Sequence, residues 1–317
     1  LIGDEVILKE ILFFKPIFKE KIWGGQKLKT EFDFNIPSNR TGECWLISGH
    51  IEGSTEVKNG TFKGETLQSL MKNSKEVLGE ISGDEFPLLI KIIDACDDLS
   101  VQVHPNNDDA SKISPNLYGK SECWYVLDCD EGAEIVYGHK ALTKDELSEK
   151  IYSGKWNELL CKKPIQKGDF IYVPAGTVHA LKKGTLILEI QQSSDITYRL
   201  YDYDRLEEGK ARELHLAESI EVISVPHREA IAKTEIVKEE TITKIVLVET
   251  QDFSVYKYII EGEAKLYQDR PFLIVGVVEG EGTVDHQPIR KGDYFLLPYG
   301  YGDFILRGHM TVIVSTK

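Results

Sequence analysis

A twelve-residue frame occurs twice in this chain and constrains its fold more than any other feature. "GDFIYVPAGTVH" runs from Gly168 to His179, and "GDYFLLPYGYGD" runs from Gly292 to Asp303. Each copy reads Gly-Asp, a short apolar run, then Pro-x-Gly at the same spacing, and the histidine three places after that glycine, His179, is replaced in the second copy by Asp303. A glycine that turns into a strand, apolar residues along it, and a Pro-Gly hairpin after it are the parts of a β unit. One copy falls in each half, so the chain is expected to hold two β units of common design. Only the first ends on an imidazole, the commonest metal ligand among side chains.

The remaining pattern agrees. Short β-branched or aromatic runs bounded by Gly, Pro or Asp recur from "PLLIKII" through "LSVQVH", "CWYVLD", "AEIVYG" and "LILEIQ", then again from "KIVLVE" to "MTVIVS". Many short strands with turns between them predict a mainly β protein made of two jelly-roll barrels with small helical insertions. The insertions are "ETLQSLMKNSKEVL", with Leu67, Leu70, Met71 and Leu78 at helical spacing, a Thr143/Glu146 capping box ahead of Leu147 and Ile151, and "ELHLAESIEVIS". The charged stretch from Pro226 to Thr243 reads as a linker or edge segment. The boundary is therefore placed near residue 230, with one β domain over 1–230 and a second over 231–317.

Composition excludes whole classes of function. With 52 acidic and 38 basic residues the net charge is −14, which argues against a nucleic-acid or anionic-membrane surface. No apolar run reaches the roughly 20 residues needed to cross a bilayer. The start "LIGDEVILKEILFF" has acidic residues where a secretory signal needs a basic region, so a cytoplasmic location is expected. Cys44, Cys96, Cys123, Cys129 and Cys161 are odd in number and form no Cys-x-x-Cys pair, which suits a reducing compartment.

The spacing Gly-x5-Pro-x-Gly-x2-His resembles the second motif of the cupin family. The partners such a histidine needs lie earlier: "SVQVH" sets Gln102 and His104 two apart, hence on one face of a strand, and Glu122 follows eighteen residues on. His104, Glu122 and His179 make a two-histidine, one-carboxylate set to which Gln102 can add an amide oxygen. His50, His139, His215, His227, His286 and His309 have no such company and read as structural or surface residues. The second half offers Arg270 where a carboxylate partner would fall and leaves Asp303 alone, so that unit reads as a scaffold without metal.

"LLIKIIDACDDLSVQVHPNNDDA", "GKSECWYVLD" and "VPAGTVHALKKGTLILEIQQSSDITYRLYDYDR" together are similar to type I mannose-6-phosphate isomerases in their short bacterial form, from about Phe14 to the end. The resemblance implies one catalytic zinc per chain held by Gln102, His104, Glu122 and His179. It implies catalytic roles for Arg199 in "DITYR" and for Glu189 ten residues earlier. It also implies a phosphosugar pocket lined by Lys91, Ser100 and Lys120, with Trp23 of "IWGG" beside them. There are two departures: the long helical insertion of eukaryotic members is missing, and the family's "HPND" reads "HPNND" here, with Asn106 and Asn107 both present.

The implied chemistry is coherent. An aldose and a ketose interconvert by moving a proton between C1 and C2 through an enediol whose oxygens gain negative charge, and positive groups stabilise that charge most in the transition state. Lys91 and Lys120 supply a local positive field that a chain of charge −14 otherwise lacks. The expected partner is a small phosphosugar, with no nucleic acid and no membrane. Two rivals share parts of the pattern: a non-haem Fe(II) cupin oxygenase, which uses the same facial triad, and a sugar-binding cupin without catalysis.

Overall fold

The computed structural model describes residues 9–79, 81, 83, 85–114, 117–230 and 234–317, so the first eight residues of the N-terminal reading lie outside it. Three larger sheets carry the fold. The first has nine strands in the order Ile236–Lys238, Ile242–Glu249, Ser254–Gln268, Gly302–Thr316, Leu273–Val284, Tyr294–Leu297, Leu12–Lys15 and Glu56–Val57, with Gln287–Arg290 paired to Leu273–Val284. The second has six, ordered Phe170–Val173, Glu122–Cys129, Thr185–Gln192, Leu88–Ala95, Thr41–Ser48 and Ile17–Gly25. The third has five, ordered Tyr198–Tyr201, Val101–Val103, His179–Ala180, Glu134–His139 and Leu160–Pro164.

The protein is mainly β, but the expected jelly-roll barrels are not formed: no sheet closes on itself among the described residues. Closure requires the two outer strands of a sheet to hydrogen-bond each other. Strand periodicity carries no information about that. Strands as short as His179–Ala180 and Val101–Val103 leave little length for wrapping. The core instead fills by packing one open sheet on another. Ile93, Trp124, Ile171 and Ile187 of the six-stranded sheet share a hydrophobic cluster with Ile135 and Tyr137 of the five-stranded one.

The repeated frame folds alike in both places. Gly168 and Gly292 adopt φ of 90° and 94°, a region that favours glycine, and their amides donate to Val126 O at 2.8 Å and Val277 O at 2.9 Å. The aspartates that follow close the same turn, each accepting from the amide three residues back, Gln166 and Arg290, at 2.9 Å. The apolar runs become the strands Phe170–Val173 and Tyr294–Leu297.

Helices form where caps and spacing place them. Thr66 caps Leu67–Asn73, which buries Leu67, Leu70 and Met71, and a 3-10 turn over Lys75–Leu78 completes that segment. Thr143 accepts from the Glu146 amide at 3.2 Å and starts Lys144–Tyr152, while the Glu146 carboxylate accepts from Leu142 N at 2.9 Å. Leu216–Val222 is the third helix anticipated. Part of the stretch from Pro226 to Thr243 becomes the edge strand Ile236–Lys238.

The chain divides into two compact units, one of Leu1–Ile17, Trp45–Leu89 and Ala232–Lys317, the other of Phe18–Cys44 and Ile90–Ile231. The first contains the nine-stranded sheet and a core built on Phe295, Val275 and Phe304. The second contains every site residue read from the sequence.

Candidate active site

The register of the five-stranded sheet lines up three of those residues. Arg199 pairs opposite Gln102, and Gln102 pairs opposite His179. Directly paired residues project to the same face, so the three stand in a row, while Val101 and Val103 alternate to the other face and are fully buried. His104, two residues beyond Gln102, returns to the functional face at the strand's end. The six-stranded sheet supplies the opposing groups: Glu122 opens its strand, Trp124 follows on the same face, and Glu189 pairs directly with Trp124.

His104, Glu122 and His179 converge so that one ligand atom from each lies within 4.8 Å of the other two. None is more than 1 % exposed. His179 Nε2 lies 3.4 Å from Glu122 Oε1, and His104 Nε2 lies 3.5 Å from Glu122 Oε2. The far nitrogens are tied back, His104 Nδ1 to Ile196 O and His179 Nδ1 to Thr177 O, each at 2.8 Å. A carbonyl only accepts, so Nδ1 carries the proton in both rings and the Nε2 lone pairs face the carboxylate. Burial pushes both imidazoles below their ordinary range, helped at each by the charge of Lys120, which keeps them neutral.

Burial alone raises the Glu122 carboxyl, but the nearby positive charge, Lys120 foremost, holds the group well below the usual carboxylate range. Lys120 Nζ approaches Glu122 Oε2 at 2.9 Å, yet the approach is poorly directed and neither oxygen accepts a well-formed hydrogen bond among the described residues. Two buried lone pairs and two under-used carboxylate oxygens aimed at one point form a donor set suited to a divalent cation. The Gln102 amide nitrogen sits 3.3 Å from His179 Nε2, so a half-turn of the amide brings its oxygen to the same point.

Trp23, Lys91, Ser100, Gln102, Lys120, Glu189 and Arg199 all line one cavity of about 360 Å³. The Glu189 carboxylate is held at both ends, by Trp124 Nε1 at 2.9 Å and Lys91 Nζ at 2.6 Å. Burial and the nearby Glu122 raise its pKa, whereas for Lys91 burial is outweighed by Glu189, Glu43 and Glu122, so the ammonium stays charged. Lys120 stands against the metal-competent triad itself, 2.9 Å from His104 Nε2. Arg199 donates from Nη1 to Glu213 O at 2.9 Å and from Nε to Ser100 Oγ at 3.3 Å, and has no carboxylate partner among the described residues.

Other lining residues escaped the sequence reading. Arg212 and Lys21 add positive charge, and His215, read as structural, lines the cavity and accepts the Arg199 amide at 3.3 Å. Arg212 and His215 come from the stretch just before the helix Leu216–Val222, where no spacing rule points to a site. The lining carries five basic residues (Lys21, Lys91, Lys120, Arg199, Arg212) against three acidic ones (Glu43, Glu189, Asp195), an excess of two positive charges in a chain of net charge −14.

Asp303 lies exposed on the strand Gly302–Thr316, opposite Tyr267. Asp303→Ala should keep the metal content and turnover of the parent protein within about twofold, a surface change of small effect. Elemental analysis showing the loss of a bound ion in this variant would contradict that.

Two imidazoles and a carboxylate brought together from antiparallel sheets, one of them following a Gly-Asp and Pro-x-Gly frame, define a protein of the cupin class. A model of the phosphomannose isomerase type I catalytic domain matches residues 11–142, and one of the mannose-6-phosphate isomerase cupin domain matches residues 242–317. Mannose-6-phosphate isomerase ManA of Bacillus subtilis is 51% identical over 314 residues, covering 96% of this chain and 98% of the relative. A mannose-6-phosphate isomerase of Streptococcus mutans is 45% identical, over 97% and 98% of the two chains. The crystal structure of the mannose 6-phosphate isomerase from Bacillus subtilis superposes with a TM-score of 0.94 at 47% identity, over 97% of this chain and 99% of that one. A phosphomannose isomerase from Salmonella typhimurium gives a TM-score of 0.81 at 14% identity, a likeness of fold alone. The chain belongs to the type I phosphomannose isomerase family.

Proposed function

We propose that this chain interconverts mannose 6-phosphate and fructose 6-phosphate, using one zinc ion held by Gln102, His104, Glu122 and His179. The observation that carries the reading is the buried triad joined through Gln102 and Lys120 to a basic cavity of sugar size. Nitrogen and oxygen donors without thiolate suit a catalytic zinc with a position open to substrate. Bound there, the ion supplies Lewis-acid stabilisation of negative charge on the sugar oxygens.

The protein's own groups do the rest. Arg199, in register with Gln102 and His179, faces the enediol oxygens as a fixed donor of positive charge. Glu189, oriented by Trp124 and Lys91, and Lys120, against the triad, are the groups placed to carry the proton between C1 and C2. Lys91, Ser100 and Lys120 make the pocket favourable for a phosphorylated ligand, and Trp23 supplies an apolar wall. Catalysis is assigned to the domain over 1–230, and the domain over 231–317 is taken as a cupin without metal. Five free thiols support a reducing, cytoplasmic setting. Among the described residues no helix is long and apolar enough to cross a membrane.

Metal analysis of the purified protein, combined with assays on both sugar phosphates in heavy water without dioxygen, tests this reading. The expected result is one zinc per chain, turnover in both directions, and solvent deuterium in the product. Turnover that depends on dioxygen would instead mark an oxygenase, and ligand binding without deuterium exchange a sugar-binding protein.

A further inference from the structure

The sequence "HPNND" carries one residue more than the family's "HPND", and the structure gives its two asparagines different tasks. Asn106 caps the helix Asn107–Ile113, its Oδ1 accepting from Asp109 N at 2.8 Å. Asn107 turns elsewhere: its Oδ1 accepts from the Gly119 amide at 2.8 Å and from Gln192 Nε2 at 3.0 Å. Gln192 in turn accepts from the Ser121 amide through Oε1 at 2.8 Å, and the Lys120 amide between them donates to Pro105 O at 3.0 Å. Three consecutive backbone amides, those of Gly119, Lys120 and Ser121, are thus each held by a group from "HPNND" or from Gln192. The approach is close as well as bonded. A Cβ on Gly119 would fall 2.5 Å from Asn106 C and Asn107 N, so only glycine lets the two segments touch.

The middle residue of this clamped segment is the lysine whose ammonium lies 2.9 Å from both His104 Nε2 and Glu122 Oε2. A lysine has four rotatable carbons and is placed only as well as its backbone is fixed. We propose that Asn107 is a positioning residue which, together with Gln192, fixes the Gly119–Ser121 backbone and so holds the Lys120 ammonium against the His104 and Glu122 pair. The catalytic part of this proposal rests on the isomerase reading above; the structural part stands on the hydrogen bonds alone.

Asn107→Ala removes the acceptor, whereas Asn107→Asp keeps an oxygen in its place. In zinc-loaded and in metal-free protein, Asn107→Ala should speed amide exchange in a peptide covering residues 117–122 by about tenfold, the scale of one lost hydrogen bond, with exchange in the nine-stranded sheet unchanged. Asn107→Asp should restore it. In the isomerase assay Asn107→Ala should lower kcat by about tenfold, move KM by less than about threefold and keep one zinc per chain, again with recovery in Asn107→Asp. Combined with Lys120→Ala, it should cost nothing further, because the two changes remove one function.

Parent-like exchange in Asn107→Ala overturns the clamp. Faster exchange with unchanged kcat, or a kcat loss that adds fully to that of Lys120→Ala, overturns the positioning of Lys120. Absence of isomerase turnover in the zinc-loaded parent protein is the separate result that would sink the functional reading, and the exchange measurement then still decides the clamp.

Discussion

His104→Ala and His179→Ala should lose most of the zinc proposed for the parent protein and at least about a thousandfold of isomerase turnover. Each imidazole presents an Nε2 lone pair fixed by a 2.8 Å hydrogen bond from its Nδ1, so no neighbouring group can replace it without moving the backbone. Lewis-acid stabilisation of developing charge is worth several kcal/mol, and about 1.4 kcal/mol is a factor of ten in rate, which sets the scale of the loss. Chelation of the parent protein should give the same defect and zinc should reverse it, whereas addition of zinc to the alanine variants should recover little. Equilibrium dialysis against a zinc buffer, with turnover followed in parallel, measures both. A demonstrably metal-free sample with full activity would remove the metal from the reaction.

Arg199→Ala should show the opposite separation: zinc retained and turnover lost. The guanidinium is a donor without a lone pair, so it does not ligate the ion. Burial and the nearby Arg212 lower its pKa, and at neutral pH it remains charged. Its Nη1 and Nε bonds to Glu213 O and Ser100 Oγ fix the planar fork in the cavity, on the sheet face shared with Gln102 and His179. Loss of one such preorganised donor costs about two to three orders of magnitude in kcat with little change in KM. Arg199→Lys should recover only part, because a point charge on a flexible stem does not reproduce the fork. If the variant lost its zinc, or if its defect lay wholly in KM, Arg199 would be a support or a phosphate clamp.

The local chemistry of the site was legible because it is written at short range. Gln102 and His104 share a face through strand alternation alone, the turn into the strand Phe170–Val173 is specified by Gly168 and Asp169, and the turn before His179 by Pro174 and Gly176. The replacement of His179 by Asp303 in the second frame was visible in the same way. The strands before residue 88 were not anticipated. Thr41–Ser48 is buried along its whole length and so shows no alternation to read.

The sequence by itself determined the residue types, the strand-rich composition, the repeated turn and the capped helices, since each depends on neighbours a few places apart. It did not determine barrel closure: hydrogen bonding between outer strands is a relation between distant segments, and the sheets remain open. Only the tertiary structure decided which groups meet. The cross-strand register set Arg199 beside Gln102 and His179, and the opposing sheet delivered Glu122 to the two imidazoles and Glu189 to Lys91. It also brought Arg212 and His215 to the cavity and gave Asn107 its hold on the segment of Lys120. The physical reason is the same in each case: a side chain's partners across a packed interface are fixed by register and sheet packing, whose energies are sums over many contacts that no short stretch of sequence contains.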